Sequence, residues 1–320
     1  MAVAALSVAV APAGGGGGGD SAGGGAQPSG RVLYVTDGNR LTSVDVASGR
    51  TTRRRVDVAS CGPSVYVTGG HVVFAEIRKG RTIVYSLPVE LDRAPRRLGS
   101  AHAFVPSAVD GRIWLAGTDC SRRRMVGVKE MTVEGKVTAS SRRRVPGWLV
   151  GAVDDGLVLQ RRRSVFAWDP ASGRKVPQPK MNAVSGMQGN RLAGCTPGTR
   201  CSDLSIVDAA TGDSVAVRLE PPYRVGGMAH FSPDASLLAT PVVAKRRWAI
   251  AIGHAADGRL SIVPGSESGK WYPDVAWSRS SGWLFFRARH GRLMGWRPGE
   301  PRAVALPFRL PRAAVSFMAG

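Results

Sequence analysis

From residue 31 onward, apolar residues come in short runs, some continuous and some alternating with polar ones. Clusters of Gly, Pro, Asp, Asn and Ser separate the runs. Such patterning predicts β-strands joined by tight turns, and no 3.6-residue periodicity of useful length interrupts it. One turn recurs, as Asp45-Val46-Ala47-Ser48-Gly49, Asp169-Pro170-Ala171-Ser172-Gly173 and Asp208-Ala209-Ala210-Thr211-Gly212. Asp45 and Asp169 are 124 residues apart, about three times the 39 between Asp169 and Asp208. A unit of about 40 residues is the period of a propeller or a related repeat array.

Equivalent positions fall near Asp45, Leu87, Glu130, Asp169, Asp208, His254 and Arg297, spaced by 42, 43, 39, 39, 46 and 43 residues. Seven such units fill 31–320, so the chain is predicted to be all-β, a seven-bladed β-propeller with strands a to d in each blade. In the sixth unit strand a spans 225–231, strand b 237–243, strand c 248–253 and strand d 260–263. Inner strands are also expected at Ser107-Ala108-Val109 and Gly151-Ala152-Val153. The first unit begins at strand b, Val32-Leu33-Tyr34-Val35, so its strand a must come from the C-terminal Ala313-Ala314-Val315-Ser316-Phe317. That C-terminal strand closes blade 1 and removes exposed sheet edges.

The stretch Phe231-Ser232-Pro233-Asp234-Ala235-Ser236-Leu237-Leu238-Ala239 resembles the FSPDG-x-x-LA signature of TolB-type and WD-repeat-like propeller blades. Residues 32–49 are similar to the YVTN-type repeats of surface-layer propellers. The likeness covers nearly the whole ordered chain as architecture, but one or two blades as motif. Trp168-Asp169 is the only WD dipeptide, and its Gly-His partner is absent. What the resemblance implies is a binding platform, found in scaffolds and in several enzymes. It transfers no catalytic residue.

Ahead of the propeller, residues 2–13 form an apolar, alanine-rich run ending Ala11-Pro12-Ala13, the small-x-small form of a signal-peptidase site. The run is too short to span a bilayer and lacks a basic n-region. It reads as a signal-peptide-like or truncated export segment, 1–13, followed by a Gly-rich tether, 14–30. Cysteine usage fits an exported, oxidised protein: Cys195 and Cys201 flank a turn sequence and suit a hairpin disulfide better than a zinc site. Cys61 and Cys120 would form the second bridge.

The net charge of +21, from 44 Lys+Arg against 23 Asp+Glu, predicts attraction to polyanions. A high-GC genome, which inflates Arg, Ala and Gly together, is the alternative cause. Strand direction sorts the charge, because b–c hairpins and d–a loops emerge on one face of the disc. The b–c hairpins hold Arg40, Arg78, Lys79, Arg81, Arg122, Arg123, Arg124, Arg161, Arg162, Arg163, Arg200, Lys245, Arg246, Arg247, Arg287, Arg289 and Arg292. Arg144, Lys180, Arg224, Lys270 and Arg312 join them at the starts of inner strands, whereas Asp110, Asp154, Asp155, Asp234, Glu134, Asp213 and Asp257 lie at the opposite turns. His102, Phe104, Trp148, Tyr223, Trp271, Tyr272 and Asp274 sit near the channel mouth, where stacking and charge-assisted bonds could hold an anionic or glycan-like ligand. Inter-blade packing is the competing role for those aromatics, and Trp277, Trp283, Phe285 and Phe286 read as core.

Several chemistries lack a local signature. The five histidines form no HxH or HExxH pair, so no metal or cofactor is expected. Gly19-Asp20-Ser21-Ala22-Gly23 matches G-x-S-x-G by letter only, because it lies in the tether and not between a strand and a helix. The leading expectation is an exported, non-catalytic binding module whose basic face meets an anionic envelope polymer, lipid headgroups or an acidic protein. The first alternative is a lyase or glycan hydrolase with His102, Asp274 and His230, or similar residues, converging at the channel mouth. The second is a cytoplasmic scaffold or nucleic-acid-associated protein.

Overall fold

A computed structural model describes residues 30–36, 40–56, 65–78, 81–117, 126–154, 156–178, 181–196, 203–268, 273–310 and 314–319, with backbone alone for 35, 36, 289 and 314–319. Along the chain, blade 1 receives β1 (Arg31–Thr36), β2 (Arg40–Asp45) and β3 (Thr51–Arg55). Blade 2 is β4 (Val65–Thr68), β5 (His71–Arg78), β6 (Arg81–Pro88) and β7 (Arg96–Ser100). Blade 3 is β8 (Ala103–Pro106), β9 (Arg112–Ala116), β10 (Val126–Thr132) and β11 (Val137–Arg144). Blade 4 has β12 (Trp148–Val153), β13 (Gly156–Arg161), β14 (Ser164–Trp168) and β15 (Lys175–Pro177). β16 (Ala183–Gln188), β17 (Arg191–Cys195), β18 (Leu204–Asp208) and β19 (Ser214–Ala216) make blade 5.

Blade 6 departs from four strands. Its inner strand is split into β21 (Arg224–Val225) and β22 (His230–Phe231), both pairing with β23 (Leu237–Ala244). β24 (Arg247–His254) and β25 (Arg259–Ile262) follow, and the short β20 (Arg218–Leu219) adds to β25 in parallel. Blade 7 is β26 (Val275–Trp277), β27 (Leu284–Arg287), β28 (Arg292–Trp296) and β29 (Val304–Arg309). Finally β30 (Ala314–Ala319) pairs antiparallel with β1, Val32 opposite Ala319, and completes blade 1 as its strand a. Each inner strand lies against the next around the full circle, β30 against both β26 and β4. The ring is closed as the sequence predicts.

Two expectations need correction. Ser107–Val109 is not an inner strand: β8 precedes it, and Ser107 starts the a–b turn. The unbroken strand expected over 225–231 is interrupted between Val225 and His230, a stretch containing Gly226 and Gly227, which have no side chain to pack.

The apolar runs follow from the architecture, because both faces of every blade are covered. Val32, Tyr34 and Val44 pack toward blade 7 with Phe285, Leu293 and Leu306, while Leu33 and Leu41 pack toward blade 2 with Val72 and Phe74. Successive strand residues face opposite neighbours, so both must be apolar. Trp277, Phe285 and Phe286 are buried, and Trp283 is partly covered. Crowding near the axis selects Gly186 on β16, where a Cβ would sit 1.9 Å from the Ala229 carbonyl oxygen.

All three copies of the recurrent turn join strand c to strand d. The Gly amide returns to the Asp carbonyl at 2.9 Å (Gly49), 2.8 Å (Gly173) and 2.8 Å (Gly212), each Gly having positive φ. The Asp side chain caps the turn, through Ser48 N (2.8 Å), Ala171 N (2.8 Å) and Ala210 N (2.8 Å). The serine hydroxyls bonded to Asp45 and Asp169 hold those two carboxyls below the usual range.

Candidate functional site

The antiparallel connectivity puts the b–c hairpins of all blades on one face, called the front, and the a–b turns on the back. In blade 4 the hairpin pairs Arg161 with Ser164, leaving Arg162 and Arg163 as a two-residue tip. In blade 6 Ala244 pairs with Arg247, and Lys245 and Arg246 form the tip. Tight hairpins require positive φ at one or both tip residues, hence the usual Asn and Gly. Here Arg162 (φ 54), Lys245 (φ 46) and Arg246 (φ 67) occupy those positions. Each costs roughly 1–2 kcal/mol relative to a residue free to be left-handed.

All six cations, Arg161, Arg162, Arg163, Lys245, Arg246 and Arg247, are exposed, and none forms an ion pair among the described residues. Three other blades set like charges directly opposite each other at their front ends: Arg40 with Arg55, Arg78 with Arg81, and Arg292 with Arg309. Like charges across a ladder destabilise the sheet. Of these, Arg78 is held by Glu76 at 2.8 Å and lies over the Tyr85 ring, 5.5 Å from its centroid.

The back is built differently, because its carboxylates are used within the fold. Asp110 accepts from Gly69 N at 2.6 Å and Thr68 Oγ1 at 3.2 Å, and it pairs with Arg279, which reaches from blade 7 to blade 3. Asn190 donates to Asp154 at 2.8 Å, joining blades 4 and 5. Asp234 accepts from both Ser232 and Ser236, and its amide donates to Ser281 of blade 7 at 3.2 Å. Asp257 caps its own turn through Arg259 N at 2.9 Å, and Asp213 accepts from Thr211 Oγ1 at 2.8 Å. Asp155 lies outside the described residues, whereas Glu134 uses its carbonyl and is treated with the rim below.

A third class of arginine was not anticipated from the sequence. Arg54 on β3 bonds to carbonyls of the blade 2 c–d turn (Leu91 and Arg93), Arg96 on β7 to Glu134 O of blade 3 at 2.7 Å, and Arg143 on β11 to Ala171 O of blade 4 at 3.1 Å. Gln178 makes the same link from blade 4 to Ala209 O of blade 5, and Arg218 N from the end of blade 5 to Gly258 O of blade 6. Outer strands thus clamp the next blade's c–d turn. The signal in the sequence is a basic residue in strand d, which strand direction alone does not separate from a front-face cation.

At the channel mouth the structure brings His102 and Trp148 together, ring centroids 5.6 Å apart, with Trp148 half exposed at the start of β12. Phe104 is instead buried edge-on against Tyr66, and desolvation raises the Tyr66 phenol. Arg224 is exposed at the start of β21, and Tyr223 donates to Glu267 at 3.2 Å. Asp274 pairs with Arg287 at 3.2 Å, burial raising its carboxyl pKa against the pull of that guanidinium.

The three residues named for a channel-mouth enzyme do not converge. His102 and Asp274 sit at front ends of inner strands in blades 3 and 7, whereas His230 stands at the back end of the blade 6 inner strand. There its carbonyl accepts from Trp277 Nε1 at 3.0 Å, and burial lowers its imidazole to about 4. Among the described residues no group of three His, Cys, Asp or Glu side chains could hold a metal, and no helix is long and apolar enough to cross a membrane. Cys195, at the front end of β17, is disulfide-bonded. Arg122, Arg123, Arg124, Trp271, Tyr272, Cys61, Cys120 and Cys201 lie outside the described residues.

Six four-stranded sheets and one six-stranded sheet, closed into a ring by β30, define a seven-bladed β-propeller whose fold is like that of TolB and WD-repeat propellers. The fold is similar to apo AztD from Citrobacter koseri, at 12% identity and TM-score 0.53 over 91% of this chain and 98% of that one. It is also similar to TolB from Acinetobacter baumannii, at 9% identity and TM-score 0.53 over 91% and 66%, and to an acylaminoacyl peptidase, at 12% identity and TM-score 0.58 over 86% and 49%. No family model matches the chain, and no curated protein matches it in sequence.

Proposed function

We propose that this protein is an exported binding module that takes an anionic partner on its front face. The carrying observation is the pair of hairpin tips, Arg161–Arg163 and Lys245–Arg247, where exposed cations occupy strained positions without carboxylate partners. Opposed arginines on three further blades add to the same field, at a cost to the sheets that bear them. His102 with Trp148, and Arg224, extend the surface toward the channel mouth. Arg122–Arg124, Trp271 and Tyr272 are proposed to belong to it by their place in the blade register. Among the candidate anions, a cell-envelope polymer suits a ring of separate hairpins best, because one chain can bridge several of them.

Export rests on the residue 2–13 run and on the disulfide at Cys195, since disulfides persist in oxidising compartments. We assign Cys201 as its partner and pair Cys61 with Cys120. The Gly30 carbonyl accepts from Val46 N at the back, 2.9 Å, so the described chain enters the propeller on the face opposite the basic tips.

Binding of labelled long-chain inorganic polyphosphate, measured by anisotropy across a salt series, tests the front face. The affinity should fall steeply with salt and drop further when Arg161, Arg162 and Arg163 are changed to Ala. Salt-independent binding, or binding indifferent to that triple change, would refute the proposal. Intact mass of the native protein tests export separately, by a missing N-terminal segment and the mass deficit of two disulfides.

A further inference from the structure

We infer that the outer edge of blade 3 receives an extended acidic segment of a partner protein as an added β-strand. β11 is the outermost strand of its sheet, eight residues long, and seven of the eight are exposed. The other described outer strands run from three to six residues. An unpaired strand edge offers amides and carbonyls to any strand that can lie beside it. The fold already shows such an addition, because β20 extends blade 6 by pairing with its outer strand β25.

A groove of about 650 Å³ opens beside β11, between the blade 3 sheet and β7 of blade 2. Its floor includes Leu98, Leu115, Met131 and Val137, the last half exposed. Alternate side chains of an added strand would fall on the groove side, where apolar ones can be buried.

Charge selects the occupant. Lys129 and Arg142 line the groove, and Lys136 continues the cationic edge. Glu130 is consumed inside the blade by Ser107 (2.5 Å), Thr138 (2.6 Å) and Arg112 (3.4 Å), which leaves Glu134 as the exposed acid nearby. A second copy of β11 would set arginines against arginines, so an acidic segment with interspersed apolar residues fits and self-pairing does not. This surface lies on the rim and does not depend on the front-face proposal.

The test uses the full chain and a labelled peptide alternating Asp and Val over the length of β11. The wild-type protein should bind it, and the Lys-Val peptide of equal length should not. Ser140→Trp, which fills the groove, and the pair Lys129→Glu with Arg142→Glu should each weaken binding about tenfold or more. Arg161→Ala with Arg162→Ala and Arg163→Ala should leave it unchanged. Two N-methylated peptides, one modified at every Val and one at every Asp, give a readout independent of protein folding: one must lose binding and the other keep it. Equal binding of both N-methylated forms, or loss only in the front-face variant, overturns the inference. A dimer in sedimentation that dissolves on Arg142→Glu also overturns it, in favour of a second copy.

Discussion

Replacing the blade 6 tip Lys245-Arg246 by Asn-Gly should stabilise the fold and weaken anion binding together. Both residues have left-handed φ, 46 and 67. Relieving each recovers roughly 1–2 kcal/mol of steric cost. Glycine returns about 0.5–1 kcal/mol of that through the greater freedom of the unfolded chain, and Asn relieves only part of its site. A net gain of about 1 kcal/mol remains, a rise in Tm of roughly 2–4 °C for a domain of this order of size. On the binding side, two cations at an exposed interface are worth roughly 0.2–1 kcal/mol each. Affinity for polyphosphate at low salt should therefore fall about two- to thirtyfold. Differential scanning calorimetry reads the first effect and anisotropy the second. Lys245→Gln with Arg246→Gln separates them, because it removes the charge and keeps the backbone strain. If Asn-Gly lowers Tm, the tip is not strained as argued. If Asn-Gly binds polyphosphate as well as the parent, the strained cations do not serve binding.

Gly186→Ala would drive a Cβ to 1.9 Å from the Ala229 carbonyl oxygen and should destabilise by about 1–3 kcal/mol or more, whereas Gly282→Ala, whose nearest neighbour is Ser280 Oγ at 3.4 Å, should be near neutral. Urea midpoints of the two compare them directly. Asp110→Ala should cost about 1–3 kcal/mol, because it leaves Gly69 N and Thr68 without their acceptor and breaks the link to Arg279. In a double-mutant cycle with Arg279→Ala the losses should fall short of additive; full additivity would mean the back-face link is not energetically real. Burial holds His230 at about 4 against 6.5 in the unfolded chain, so the native state favours the neutral ring. Its contribution is complete above pH 6.5 and is lost as pH falls toward 4, by up to roughly 3 kcal/mol. His230→Gln should flatten stability over that interval, and an unchanged pH profile would show that the imidazole is not desolvated.

The blade count, the register and the closing strand were all readable from residue order. A turn of the form Asp-x-Ala-Ser-Gly depends on local hydrogen bonds and a left-handed Gly, and these act the same way in every blade. Strand alternation is similarly local, so β23, β24 and β25 fall where apolar runs predict. Inner strand a is harder to read, because its limits depend on crowding around the axis. Ser107–Val109 has strand-like composition but turns at the channel's back, and Gly226 and Gly227 break a run that its flanks continue. Among site residues, the place of the blade 4 and blade 6 tip cations was legible from strand direction, whereas the pairing of His102 with Trp148 was not singled out. Not legible were contacts set by blade twist: Arg54, Arg96 and Arg143 reaching the next blade, Arg279 crossing to Asp110, and the groove beside β11.

Those long-range contacts change how the charge of +21 is understood. Arginines on outer strands serve as clamps, bonding to carbonyls of the neighbouring c–d turn, so a part of the basic excess holds the ring together. Carboxylates at the a–b turns are likewise tied into links between blades. After both sets are assigned, Arg161–Arg163 and Lys245–Arg247 remain at the b–c tips with no ion pair among the described residues, and register opposes arginines at the front ends of three other blades. A solvated surface shaped by composition alone would place Arg wherever it was tolerated, and would have little reason to favour left-handed tip positions that suit Asn and Gly. Backbone strain at exposed tips of blades 4 and 6 and like-charge opposition on blades 1, 2 and 7 are separate costs at the same end of the ring. Their coincidence on the face opposite Gly30 is the strongest physical reason to look there for the partner.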